Sequence, residues 1–98
     1  MGMIDILKDY LESTIKMMVD IPNEVKIEIS TTTKTILVQI CAGKTDLGKI
    51  IGRKGKTIES LKIITCAIKN TKFHDDARSV VLEILEDEVS SYRPYNKE

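Results

Sequence analysis

The residues best suited to chemistry in this 98-residue chain form a short basic loop bracketed by glycines. Gly52-Arg53-Lys54-Gly55 places two cationic side chains between the glycines, and Lys49 and Lys56 flank them. Glycine allows tight or positive-φ backbone, so a polyanion could approach without a Cβ in the way. A helix starting near Lys56 would add unpaired N–H groups and the positive end of its dipole. The spacing therefore predicts a site for phosphate groups.

The charge distribution supports this prediction, although the chain as a whole is neutral, with 15 basic and 15 acidic residues. Residues 43–72 contain eight basic and two acidic residues, whereas residues 1–30 and 73–98 are net acidic. A local basic surface attracts a polyanion while the rest of the protein repels it, which orients the ligand. A solvated charged helix face would explain the charge alone equally well.

Other chemistries are poorly supported by the remaining residues. Gly55-Lys56-Thr57 matches the end of a Walker A loop, but the opening glycine of that motif would fall at Ile50, and the preceding segment has a helical pattern. His74 lies in a polar loop without converging ligands for a metal. Cys41 and Cys66 lie in apolar segments without CxxC spacing, which predicts buried free thiols. We therefore predict no catalytic residue, metal or cofactor.

Hydrophobic periodicity predicts the elements that position the basic loop. They are a helix over 3–20, strands over 25–30 and 36–41, helices over 45–51 and 57–70, and a strand over 79–85. The first two strands are expected to form an antiparallel hairpin. The second strand reaches the third through two helices, a crossover that suits parallel pairing. The order α-β-β-α-α-β predicts an α+β fold with one three-stranded mixed sheet and helices on one face.

The helix over 57–70 carries more apolar residues than one sheet face needs. Burial is expected for Ile58, Leu61, Ile64, Cys66 and Ile68. Ile63 and Ala67 widen the apolar arc beyond this stripe, which indicates a surface for a protein partner.

The length fits one domain, which we place at residues 1–86, followed by a polar tail over 87–98 that we expect to be flexible. No stretch approaches the roughly 20 apolar residues that a membrane span needs. The N-terminus lacks the basic start and apolar run of a secretory signal. We therefore expect a cytoplasmic protein.

Residues 46–58, in this element order, resemble a type II KH domain. Their sequence is Asp46-Leu47-Gly48-Lys49-Ile50-Ile51-Gly52-Arg53-Lys54-Gly55-Lys56-Thr57-Ile58. In such domains the GXXG loop clamps about four nucleotides of single-stranded nucleic acid. Over residues 3–86 the chain resembles the small bacterial KhpA family of stand-alone KH proteins.

The resemblance implies a non-catalytic protein that binds single-stranded RNA in a groove. Arg53 and Lys54 would face phosphates. One wall would include the GXXG loop, and the other would include the loop over 71–77 and the backbone of the following strand. The RNA-binding residues implied in this way are Lys49, Ile50, Ile51, Gly52, Arg53, Lys54, Gly55, Lys56 and Ile58, in which the three isoleucines form an aliphatic floor for bases.

The resemblance also implies a biological role and partners. The family acts in post-transcriptional control or as RNA chaperones, forms homodimers, and pairs with a larger KH protein, KhpB (Jag-like). Two alternatives remain open: a KH-fold adaptor that docks such a partner through protein contacts, and a ribosome-associated factor.

Overall fold

The computed structural model describes residues 2–85 and has the element order predicted from the sequence. The predicted tail over 87–98 and the domain boundary at residue 86 lie outside the described residues. The helices and strands are α1 (Met3–Lys16), β1 (Lys26–Thr31), β2 (Thr35–Cys41), α2 (Leu47–Ile51), α3 (Lys56–Lys72) and β3 (Ser79–Leu85). Short 3₁₀ turns at Pro22–Glu24, Lys44–Asp46 and Arg53–Gly55 connect them. No helix in this described range is long and apolar enough to cross a membrane.

The sheet is mixed, with strand order β1-β2-β3, as the sequence predicts. β1 and β2 are antiparallel, with Ile27 opposite Ile40. β2 and β3 are parallel, with Ile36 opposite Val80, because α2 and α3 carry the chain back to the same end of the sheet. Within residues 2–85, β3 pairs only with β2, so it is an edge strand and the other edge of its backbone has no strand partner.

A threonine side chain closes the turn between β1 and β2. The Thr32 hydroxyl accepts hydrogen bonds from the amides of Lys34 (3.1 Å) and Thr35 (3.0 Å). The Thr32 amide donates to the Thr35 carbonyl at 2.8 Å. The hairpin therefore forms without an Asn-Gly or Asp-Gly pair, because a side-chain oxygen satisfies the turn amides.

The core lies between the helices and one face of the sheet. Apolar residues at helical spacing on α1 and at alternating positions on the strands pack together there. The buried apolar residues are Leu7, Leu11, Ile15, Val25, Ile27, Ile36, Val38, Ile40, Leu47, Ile50, Ile58, Leu61, Val80, Leu82 and Ile84. The opposite face of the sheet carries half-buried residues, among them Cys41.

Helix α1 is shorter than predicted, because it ends at Lys16 rather than near residue 20. The amides of Met17 and Met18 donate to the carbonyls of Thr14 (3.1 Å) and Ile15 (2.9 Å), three residues back rather than four. The N–H groups of Asp20 and Ile21 donate to the Asp46 carboxylate at 3.1 and 3.0 Å. The end of the helix thus depends on a residue that is 26 positions from Asp20.

The burial predicted for α3 is wrong at Ile64, which is 47% exposed. Thr65 and Lys69 occupy the inward stripe instead, and both are buried. They can be buried because both are hydrogen-bonded: the Thr65 hydroxyl donates to the Leu61 carbonyl (2.7 Å), and the Lys69 ammonium donates to the Asp76 backbone carbonyl. Cys66 and Cys41 are free thiols, half-buried rather than fully buried as predicted.

Candidate nucleic-acid interface

The basic loop joins α2 to α3 through a sharp turn of the backbone. Gly52, Lys54 and Gly55 have φ values of 79°, 56° and 74°, on the left-handed side that favours glycine. The Gly52 amide donates to the Gly48 carbonyl (2.8 Å) at the end of α2, and the Gly55 amide donates to the Gly52 carbonyl (3.1 Å). Arg53 therefore lies between two residues with positive φ, Gly52 and Lys54, and its side chain is exposed.

Glycine is required at position 52 by packing within the loop. A Cβ there would overlap the Thr57 hydroxyl and lie 2.8 Å from the Thr57 backbone nitrogen. Gly55 is buried. At Gly52 the space that a side chain would need is occupied by Thr57, so glycine is required there by packing within the loop. The glycines thus shape the loop, and the approach of a ligand to their backbone stays a prediction.

Three basic side chains of the loop region are exposed together at the start of α3. They belong to Arg53, Lys54 and Lys56. Gly55 is the N-cap of α3 and has no side chain to accept hydrogen bonds from the first helical turn. The partial positive charge of the helix N-terminus thus adds to the charge of these side chains. This arrangement can bind phosphate groups.

Lys49, which the sequence analysis placed among the RNA-binding residues, is also exposed, but it forms ion pairs within the protein. Its Nζ lies 3.2 Å from Asp20 Oδ2 and 3.4 Å from Asp46 Oδ1. The hydrogen bond to Asp20 raises the pKa of Lys49. Two carboxylates offset its charge, and these ion pairs join the segment after α1 to the start of α2.

The sequence analysis assigned no role to Asp46, which organises this junction. Its side chain is fully buried, and both carboxylate oxygens accept backbone hydrogen bonds. The bond from the Asp20 amide, helped by that from Ile21 and by Lys49, lowers the pKa of Asp46 despite the desolvation that opposes it. The sequence did contain a signal for this role, because Asp46 is an acidic residue at the start of a helix within a basic segment.

Of the three isoleucines predicted to form an aliphatic floor for bases, one keeps an exposed surface. Ile50 has no exposed surface and Ile58 keeps only 6% of its own, because both pack into the core. Ile51 is half-buried and retains a surface beside the loop. A base can therefore contact Ile51, whereas Ile50 and Ile58 support α2 and α3 from within.

The loop between α3 and β3 is held by a buried cation. The Lys69 side chain is 4% exposed, and its Nζ donates to the Asp76 carbonyl. The Asp76 carboxylate accepts hydrogen bonds from the Arg78 side chain (2.9 Å) and the Arg78 amide (3.0 Å). The hydrogen bond from the Arg78 side chain, followed by that from its amide, holds the pKa of Asp76 well below its usual range. This second loop is therefore fixed relative to α3.

Comparison with known proteins identifies similar chains. The model of the family described as KhpA/KhpB, KH domain, matches residues 8–84, from within α1 to within β3. RNA-binding protein KhpA of Chlamydia caviae is 39% identical over 83 residues, which cover 83% of this chain and 99% of the relative. Proteins of that name from Chlamydia pneumoniae and Aquifex aeolicus are 36% and 35% identical, over 83% and 82% of this chain and 99% and 96% of their own lengths. No solved structure gives a significant match.

Proposed function

The chain belongs to the KhpA/KhpB KH-domain family, as its sequence predicted, and on that premise we propose that it binds single-stranded RNA at the loop between α2 and α3. The relatives named above carry the name RNA-binding protein KhpA. We propose a non-catalytic role in the cytoplasm, in which the protein acts on RNA as a chaperone or post-transcriptional regulator.

The observation that carries this proposal is the exposure of Arg53, Lys54 and Lys56 around a turn made by two glycines. Phosphates of the strand would lie against these cations and the uncapped start of α3. A base would contact Ile51, the isoleucine that keeps exposed surface beside the loop. Contacts of this kind are made mostly to the RNA backbone, so we expect modest sequence discrimination.

The salt dependence of RNA affinity tests the phosphate contacts. If the loop neutralises about two to four phosphates, log K should fall with log salt concentration with a slope of about −1.4 to −2.8 for single strands. Fluorescence anisotropy with a labelled unstructured RNA, repeated over a range of salt concentrations, measures this slope. A slope near zero would contradict the phosphate mechanism.

We also propose a protein interface on α3, as a second role beside RNA binding. Ile63 and Ile64 are 59% and 47% exposed, and Ala67 is exposed one turn further along the helix. Ser60 precedes them on the same face and is also exposed. Small side chains beside exposed isoleucines let another helix approach closely. The strip is uncharged, so a second copy of this chain can pack on it in an antiparallel, self-complementary arrangement.

The double variant Ile63→Lys/Ile64→Lys tests this interface. We expect a dimer of the wild-type protein to weaken by at least about tenfold, because four added charges would meet across a twofold interface. Light scattering coupled to size-exclusion chromatography measures the mass, and circular dichroism checks the fold.

Met17→Lys is the control, because it changes another exposed apolar residue and should leave the dimer intact. A wild-type monomer at all concentrations would contradict homodimerisation. Loss of binding to a KhpB-type protein in the double variant would then assign the face to that partner.

A further inference from the structure

We propose that the C-terminal segment, residues 86–98, packs back on the open face of the sheet, with its two tyrosines on apolar side chains of that face and Arg93 beside Glu83. The open face is the face of the sheet that is turned away from the core. This intramolecular contact is separate from RNA binding and does not depend on it. It replaces the flexible tail that the sequence analysis expected.

The open face is formed by the side chains that alternate with those of the core along β2 and β3. The core takes every second residue of these strands, from Ile36 to Ile40 and from Val80 to Ile84. None of the residues between them is in the core or among the described hydrophobic residues that pack against it, so the helices of residues 2–85 lie on the other side of the sheet. The half-buried residues of the open face on these two strands are Leu37, Gln39, Cys41, Val81, Glu83 and Leu85.

The register of β2 and β3 arranges these six residues in three rows across the two strands. Leu37 lies beside Val81 in the first row, and Cys41 lies beside Leu85 in the third. The two apolar rows are four residues apart, which corresponds to about 13 Å along a strand. A polar row lies between them. The open face therefore presents two apolar areas on either side of a polar strip.

The polar row carries a carboxylate and lacks a cation. Gln39 Nε2 donates a hydrogen bond to Glu83 Oε1 at 3.1 Å. On β1, Glu28 lies opposite Gln39 and adds a second, exposed carboxylate. Among residues 2–85, neither glutamate forms an ion pair. Because a guanidinium can bind both oxygens of a carboxylate, the row favours an arginine that arrives between two apolar groups.

The C-terminal segment has side chains in this order. Arg93 lies between Tyr92 and Tyr95, as Glu83 lies between the two apolar rows. The segment holds two of the three tyrosines of the chain. A tyrosine ring packs on aliphatic side chains while its hydroxyl stays in water. The match to the family model ends at residue 84, so the segment lies beyond the part that is shared with the family.

The segment begins where it can reach the open face. It follows Leu85, whose side chain is on this face, and Tyr92 is seven residues further along. Seven residues span at most about 25 Å. Glu83 is two residues back along β3, which is about 7 Å, and β2 is about 4.8 Å to the side. The chain can therefore reverse direction and still place Tyr92 and Arg93 over the face. Attachment to the same chain also raises the effective concentration of the segment there.

Nuclear Overhauser contacts in the isotopically labelled full chain test the docking directly. We expect contacts from the ring protons of Tyr92 and Tyr95 to methyl groups of Leu37, Val81 or Leu85. If neither ring contacts these methyl groups, the proposal is overturned. A mixture of labelled and unlabelled protein separates contacts within one chain from contacts between copies. Contacts seen only between copies would also overturn the proposal and would assign the open face to the segment of a second copy.

The reactivity of Cys41 provides an independent measurement, because this residue is on the open face. Tyr92→Ser/Tyr95→Ser should raise the rate of Cys41 alkylation, measured by peptide mass spectrometry, by at least about threefold. Cys66 packs against the core from α3 and is the internal control, so its rate should not change. Asn96→Ala/Lys97→Ala changes two other residues of the segment and should keep the wild-type rate. Equal Cys41 rates in the tyrosine variant and the wild-type protein would contradict the docking.

A charge exchange tests the pairing of Arg93 with Glu83. Glu83→Lys should also raise the rate of Cys41 alkylation, because it puts a second cation beside Arg93. Glu83→Lys/Arg93→Glu restores opposite charges and should return the rate to that of the wild-type protein. If the exchange does not restore protection in a variant whose circular dichroism is native, Arg93 is not paired with Glu83.

Discussion

Replacing both Arg53 and Lys54 with aspartate is expected to weaken the binding of single-stranded RNA by at least about 100-fold. The double variant removes two cations from the proposed phosphate contacts and puts two anions in their place, so attraction becomes repulsion. Anisotropy with a short unstructured RNA measures the loss.

The variant is chosen because it leaves the turn itself in place. Arg53 is exposed, and aspartate is among the residues that tolerate the left-handed conformation found at position 54. Substitution of Gly52 would be less informative, because any Cβ there collides with Thr57 and would change the loop as well as its charge. Circular dichroism of the double variant should therefore show the wild-type secondary structure, and thermal unfolding measures any change in stability.

Two controls separate local contacts from overall charge. Lys8→Asp/Lys26→Asp gives the same change in net charge on exposed residues of α1 and β1, and it should weaken binding by only a few-fold. Arg53→Gln/Lys54→Asn removes the charges without adding anions, and an intermediate loss is expected. If Arg53→Asp/Lys54→Asp binds RNA as tightly as the wild-type protein, the loop between α2 and α3 is not the RNA site.

Replacing Asp46 with alanine is expected to give the largest loss of stability, with a decrease in Tm on the order of 10 °C. The buried carboxylate satisfies two backbone amides, and its removal leaves them without that acceptor. It also removes one of the two carboxylates that face Lys49. Thermal unfolding followed by circular dichroism measures the change.

Asp20→Ala is the matched control, because Asp20 is the exposed carboxylate that faces the same lysine. A surface ion pair contributes little, so its loss should lower Tm by no more than a few degrees. Asp46→Asn keeps one acceptor oxygen and should lie between the two. Equal stability of Asp46→Ala and the wild-type protein would show that the junction between α1 and α2 does not depend on this carboxylate.

The pH dependence of stability provides a second measurement on the same variants. The folded protein lowers the pKa of Asp46 below the ordinary value of 3.8, so the unfolded chain binds the proton more readily. The stabilisation is therefore present above pH about 4 and is lost as pH falls through the lowered pKa. The wild-type Tm should fall more steeply in this acidic range than the Tm of Asp46→Ala. Parallel curves would contradict this role of the carboxylate.

The amino-acid sequence by itself determined the order of the elements, the mixed sheet and the family. β3 has the bounds that alternation predicted, Ser79–Leu85, and β2 differs by one residue. These features depend on patterns within a few residues: a period of two in strands, a period near 3.6 in helices, and glycines at a turn. Local patterns of this kind are encoded within the segment that adopts the structure.

Only the tertiary structure decided which residues near the loop are available to a ligand. Ile50 is fully buried, Lys49 is exposed but paired with two carboxylates, and Arg53 is exposed beside the turn. In the same way, the buried ammonium of Lys69 binds a carbonyl seven residues ahead, while Ile64 faces outward. A residue type states what a side chain can do, but its exposure and its partners depend on segments brought together by folding. The 26-residue separation between Asp20 and Asp46 is the clearest example, since no local pattern specifies that contact.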